Sequence, residues 1–199
     1  VRGLKRAGLA YAEQSHALNR ERPMHKILVS RCLLGERVRY DGGSNGPLEP
    51  LARWQAEGRV VPICPEVAGG LPTPRPPAEI PGAQGAAVLD GCLPVLSIEG
   101  IDVTAAFLAG ARRALELAEE HGVRIAVLKA RSPSCGNLEG YDGSFTGRRV
   151  AGEGVTAALL RRAGIRVFNE DQLAEAAQAL AELDVAEPGA VPRVIRVQS

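Results

Sequence analysis

Residues 26–32 read Lys26-Ile27-Leu28-Val29-Ser30-Arg31-Cys32, and the fold turns on how that run is read. Ile27, Leu28 and Val29 are apolar without a polar residue between them, which is the pattern of a strand buried on both faces. The run breaks at Cys32 into a loop that contains Gly35. Two later segments repeat the plan. Val60 to Ile63 ends at Cys64, and Ile125 to Leu128 leads through Lys129-Ala130-Arg131-Ser132-Pro133-Ser134 to Cys135. A further strand is expected at Ile165 to Phe168.

Helical segments separate these strands. Leu48 to Glu57 has helical spacing, with Pro47 near a first turn and Gly58 just past the end. Thr104 to His121 repeats Phe107, Ala111, Leu115 and Ala118 on one face and stops at Gly122. Shorter helices are expected near Thr156 to Arg162 and from Asp171, the latter capped by Asn169. Pro72, Pro74, Pro76, Pro77 and Pro81 make Gly69 to Pro81 a stiff loop, since each fixes φ and removes a backbone donor. Val88 to Ile98 reads as an irregular hairpin on a sheet edge, and Tyr141 to Gly154 as a glycine-rich loop. Strands alternating with helices imply a single α/β domain, Rossmann-like, with a mostly parallel sheet covered on both faces. It is expected to occupy residues 24–184, between an extension at 1–23 and a tail at 185–199.

The composition fits that class. In 199 residues, 45% are hydrophobic and 24% charged, and no segment has the apolar length of a membrane span. A formal charge of +1 with both signs intermixed excludes the basic footprint of a duplex-DNA binder. Four scattered cysteines and no signal-peptide pattern point to reduced thiols in the cytoplasm. An aromatic content of 4% disfavours a stacking platform for single-stranded RNA and favours a small-molecule ligand.

Ligands of open parallel sheets sit beyond the carboxyl ends of the strands, and Cys32, Cys64 and Cys135 all fall there. A cysteine taken singly in such a core is usually a small buried hydrophobe, and Cys92, away from the strand ends, is read that way. The other three are flanked by loop residues: Leu34-Gly35, Pro65-Glu66, and Ser134 with Gly136. No Cys-x-x-Cys pair and no histidine beside a cysteine is present, so a local zinc knuckle or ferredoxin run is excluded. On the pattern alone, convergence of three distant thiols on one metal site stands level with three separate buried thiols, and the loop residues around them favour the metal site. Iron–sulfur cluster and zinc both satisfy it at this point.

Three blocks narrow the choice: Cys32-Leu-Leu-Gly35 followed by Arg39-Tyr-Asp-Gly42; Cys64-Pro-Glu66 leading to Gly69-Gly-Leu-Pro72 and Pro74-Arg-Pro-Pro-Ala-Glu79; and Ser132-Pro-Ser-Cys-Gly136 leading to Tyr141-Asp-Gly-Ser-Phe145. Together they resemble the thiouracil desulfidase family from about Lys26 to about Leu173. The resemblance implies a [4Fe–4S] cluster held by Cys32, Cys64 and Cys135, with one iron left for substrate. It places the catalytic carboxylate and hydroxyl on Glu66 and Ser134. Some relatives have a further cysteine where this chain has Val38, which leaves the three-cysteine set intact.

The implied reaction is non-redox removal of sulfur from a thiolated pyrimidine, thiouracil or thiouridine monophosphate, giving the uracil compound and hydrogen sulfide. Arg39, Asp41, Arg75, Lys129 and Arg131 are the expected substrate-binding residues, because they flank the motif glycines and prolines. Asp41 and Asp142 also read as turn residues bonding their own backbone. Two other functions stay open on the residues alone: a zinc hydrolase or deaminase on the same three thiols, and a non-catalytic cluster sensor or carrier.

Overall fold

The computed structural model describes residues 24–186. The expected extension at 1–23 and residues 187–199 of the expected tail lie outside the described residues; Val185 and Ala186, expected in that tail, form the end of the last helix. In chain order the elements are β1 (Ile27–Ser30), α1 (Leu51–Ala56), β2 (Val60–Ile63), α2 (Pro65–Ala68), β3 (Ala78–Glu79), α3 (Gly85–Leu89), β4 (Leu96–Ser97), α4 (Thr104–Glu120), β5 (Ile125–Leu128), β6 (Glu139–Tyr141), β7 (Arg149–Ala151), α5 (Val155–Arg162), β8 (Arg166–Asn169) and α6 (Leu173–Ala186). A short 3-10 turn, Arg31–Leu33, follows β1.

The main sheet is parallel throughout, in the order β2-β1-β5-β8. Both central strands are buried along their whole length, as their uninterrupted apolar runs require. Period-two alternation divides their side chains between two layers. Leu28, Ala126 and Leu128 pack with Ala114 and Ala118 of α4 and with Ala157 and Leu160 of α5. Ile27, Val29, Ile125 and Val127 pack on the other face with Leu51 and Trp54 of α1 and with Ala176, Ala179 and Leu180 of α6. The chain leaves β1 towards one edge and β5 towards the other, so the strand order reverses between them. That reversal opens a crevice at the carboxyl ends of β1 and β5. Among the described residues, no helix is long and apolar enough to cross a membrane.

Three local expectations are corrected. Val88 to Ile98 is not a hairpin on the main sheet: Gly85–Leu89 is helical, and β4 pairs antiparallel with β3 in a sheet of two strands. Val88 and Val95 instead close a third apolar cluster with Ile80, Phe107 and Val155. Tyr141 to Gly154 is not wholly loop, because β7 lies inside it and pairs antiparallel with β6, whose last residue is Tyr141. The first helix also begins later than expected, at Leu51, with Pro50 at its cap.

One helix contact governs the placement of Glu66. A Cβ built on Gly110 of α4 would lie 1.9 Å from the Pro65 carbonyl oxygen, and one on Gly69 would lie 2.0 Å from that of Ala106. Only hydrogen fits at either position, so α4 and the α2 segment meet backbone to backbone. Gly110→Ala is expected to destabilise the fold by about 3 kcal/mol or more, at the severe end of overpacking, since the clash is with main chain that cannot rotate aside. Urea or thermal unfolding checks this, and a stability within error of the parent would refute it.

Candidate active site

Each cysteine sits at the carboxyl end of its own strand, and each is held by the turn that follows. Cys32 lies in the 3-10 turn after β1, where its carbonyl accepts the Asn45 amide at 3.0 Å. Cys64 caps α2, and its Sγ reaches the Val38 carbonyl at 3.8 Å. Cys135 lies in the loop after β5, which wraps the start of α5. The amides of Gly154, Val155 and Thr156 donate to the carbonyls of Gly136, Pro133 and Ser134 at 2.8, 3.0 and 2.9 Å. The first donors of that helix, which have no partner within it, thereby fix the cysteine loop. Beneath it, the Ser30 hydroxyl donates to Cys135 Sγ at 3.6 Å and accepts the Lys129 amide at 3.0 Å.

Cys32 and Cys64 line a cavity of about 420 Å³ at the crevice, together with Glu66, Arg75, Lys129 and Ser132. Cys135 lies just beneath, 5% exposed. Burial pushes all three thiols up: Cys32 to about 11, with Cys64 adding to the effect; Cys64 itself, with Glu66 adding; and Cys135, with Glu66, Cys64 and Cys32 adding. Charge on one would therefore be felt by the others. Ionised together, as metal ligands must be, these buried thiols would need a cationic centre among them.

The donor set fits a cluster better than a lone ion. All four cysteines are free, and among the described residues no three His, Cys, Asp or Glu side chains are grouped to hold a single metal ion. A mononuclear zinc site needs its ligands around one centre. A four-iron cluster takes each thiolate on a different iron, which suits soft donors on three separate strand ends.

Glu66 is the cavity's most elaborately held acid. Its Oε2 accepts Arg75 Nε at 2.7 Å, with the two side chains 15% and 6% exposed respectively. Its Oε1 accepts the Ser132 hydroxyl at 3.3 Å. Ser132 Oγ accepts in turn the amides of Ser134 and Cys135, both at 3.1 Å. One hydroxyl thus ties the Glu66 carboxylate to the backbone of Cys135.

The other expected site residues divide. Arg39 lines the cavity, bonded to Asn45 at 2.7 Å and to Asp41 at 3.2 Å. Arg75 lines it as well, but its guanidinium is committed to Glu66 and to the Val38 and Pro72 carbonyls. Lys129 is paired with Glu170, which also accepts the Ala130 amide at 2.7 Å. Arg131, in a left-handed conformation at φ 62, reaches Glu139 at 3.3 Å. Asp41 stands apart from the cavity lining as an exposed turn residue that accepts the Gly43 amide at 2.9 Å. Ser134 is placed apart too: it is fully buried, and its hydroxyl meets that of Thr156 at 2.8 Å, away from Glu66.

Sequence reasoning passed over Ser132, Glu79, Phe145 and Glu170. Ser132, Glu79 and Phe145 stood inside the quoted motifs, so the motifs themselves were the available signal. Glu170 follows the carboxyl end of β8, where the strand-end argument applied to the cysteines would have found it.

Three comparisons bear on this geometry. A family model described as 2-thiouracil desulfurase matches residues 27–172. The uncharacterized protein YbbK of Bacillus subtilis is 44% identical over 147 residues, covering 74% of this chain and 97% of its own length. A solved structure, the [4Fe-4S]-dependent thiouracil desulfidase TudS, superposes with a TM-score of 0.73 at 53% identity, covering 79% of this chain and 99% of that one.

Proposed function

The chain belongs to the 2-thiouracil desulfurase family, and from that premise we propose that it is a [4Fe–4S]-dependent thiouracil desulfidase in which Cys32, Cys64 and Cys135 hold the cluster and Glu66 is the general base. The observation that supports the reading best is the arrangement at one crevice: three thiols at three strand ends, beside a carboxylate fixed on both oxygens at the wall of a cavity of about 420 Å³.

The cluster, when bound, supplies a soft iron with no protein ligand, which suits a thiocarbonyl sulfur better than a carbonyl oxygen. The chain supplies the rest. Glu66 removes a proton from water as the water oxygen bonds to the thiocarbonyl carbon; the carbon–sulfur bond then breaks, and sulfur departs with its electron pair at the sulfide level. Water and thiouracil become uracil and hydrogen sulfide, so atoms balance and no electron enters or leaves. Arg75 holds the carboxylate against rotation, and a fixed base within reach of its proton is the source of the rate advantage. Ser132, rather than Ser134, is the hydroxyl with the placement for proton transfer, because it already donates to Glu66 Oε1. Lys129 and Arg39 remain on the cavity wall to orient the pyrimidine edge. Four unpaired thiols suit a reducing, cytoplasmic setting.

The test is reconstitution of the cluster without oxygen, followed by addition of 4-thiouracil or 2-thiouracil. Thiocarbonyl absorbance is expected to fall in step with sulfide and uracil release. A loaded protein that releases neither would overturn the enzyme reading and leave the sensor or carrier role.

A further inference from the structure

The loop between β6 and β7 supplies part of the cavity wall through Phe145 and Gly147. Its Phe145 is one of only three non-glycine described residues with positive φ, at 56°. A phenylalanine in the left-handed region is strained, and such strain persists only where the surroundings enforce it. The enforcing group is Glu79. A single oxygen, Oε2, accepts the Gly143 amide at 2.9 Å and the Phe145 amide at 3.1 Å. Glu79 is only 9% exposed, and burying a carboxylate is costly unless its bonds are made. Gly143 allows no substitute: at φ +94, a Cβ would lie 2.9 Å from Pro81 Cα. The motif ending in Glu79 and the motif ending in Phe145 are therefore the two halves of one clamp.

What the clamp presents is aromatic. The whole chain has one Trp, three Tyr and three Phe, yet Tyr40, Tyr141 and Phe145 all line this cavity. Three aromatic residues around one cavity of an aromatic-poor protein suit a flat heterocycle, the ligand such faces receive.

We propose that Phe145 is a specificity-determining residue whose ring stacks on the pyrimidine base, and that Glu79 is the positioning residue that holds it there. The inference rests on the desulfidase reading, and its test separates the two. Phe145→Asn removes the ring with a residue that tolerates positive φ, so the backbone is spared. In the anaerobically loaded protein, KM for 4-thiouracil and the Kd for uracil by calorimetry are expected to rise at least about tenfold, within the range of a lost base–aromatic stack. The loss falls on KM more than on kcat. Phe145→Tyr restores both constants to near the parent values. Glu79→Ala raises KM similarly, and the double variant is no worse than the more severe single one, because both changes break the same unit. If the parent protein neither binds nor desulfurates thiouracil, the functional reading fails; if it does both and Phe145→Asn leaves KM and Kd within about twofold, this inference alone fails.

Discussion

Replacing Glu66 with glutamine is expected to keep the iron–sulfur chromophore while turnover of thiouracil falls by at least about 100-fold, the lower end of what a positioned general base contributes. The amide retains the volume and an oxygen for Arg75 or Ser132, so the cavity wall stays in place and only proton acceptance is lost. Glu66→Ala is the blunter variant. It would strand Arg75, whose side chain is 6% exposed, and removing one partner of a buried pair costs about 3–5 kcal/mol. Its loss of activity would then mix chemistry with instability. Absorbance of the loaded protein and a single-turnover measurement of sulfide separate the two. Wild-type turnover by the glutamine variant would remove Glu66 from the mechanism, whatever the state of the cluster.

Replacing Cys135 with serine is expected to lower iron per chain to near background and to abolish turnover. Cys135 is the deepest of the three thiols, and its loop is fixed from two sides, by Ser132 Oγ on its amide and by the first turn of α5. A serine oxygen there is shorter in reach and a harder donor, poorly matched to iron in a sulfur cluster. The loop has no other thiol to offer. Cys92→Ser is the internal comparison, because Cys92 is exposed rather than buried as the sequence suggested, and its thiol reaches the Asp90 carbonyl. Iron analysis of the two variants after identical reconstitution decides the matter. Full loading of Cys135→Ser would dismiss Cys135 as a ligand.

Much of this was legible in the chain, for a physical reason. Central parallel strands must be apolar on both faces, so Ile27–Ser30 and Ile125–Leu128 announce themselves as short uninterrupted runs; the edge strand Val60–Ile63 is apolar as well, and the ends of the three place the cysteines. What stayed hidden depends on long-range contacts. The helix at Gly85–Leu89 begins at a glycine whose amide donates to Glu153, far along the chain, and no local period marks it. Ser132 and Ser134 flank the same proline, and only the path of the turn decides that one hydroxyl meets Glu66 and the other meets Thr156. Arg75 read as a substrate-binding cation because its charged partner and its most distant one lie on other segments: Glu66 follows Cys64, and Val38 belongs to the loop after β1.

The distribution of the cysteines over β1, β2 and β5 has a last consequence, for folding. No fragment of the chain contains the complete grip, since neighbouring strands of the sheet must already lie side by side before their loops meet. Whatever occupies the three thiols together acts as a clasp across the sheet's edge, binding the native chain and not the unfolded one. By mass action it shifts the equilibrium towards the native state, so retention of the cofactor and integrity of the scaffold rise and fall together.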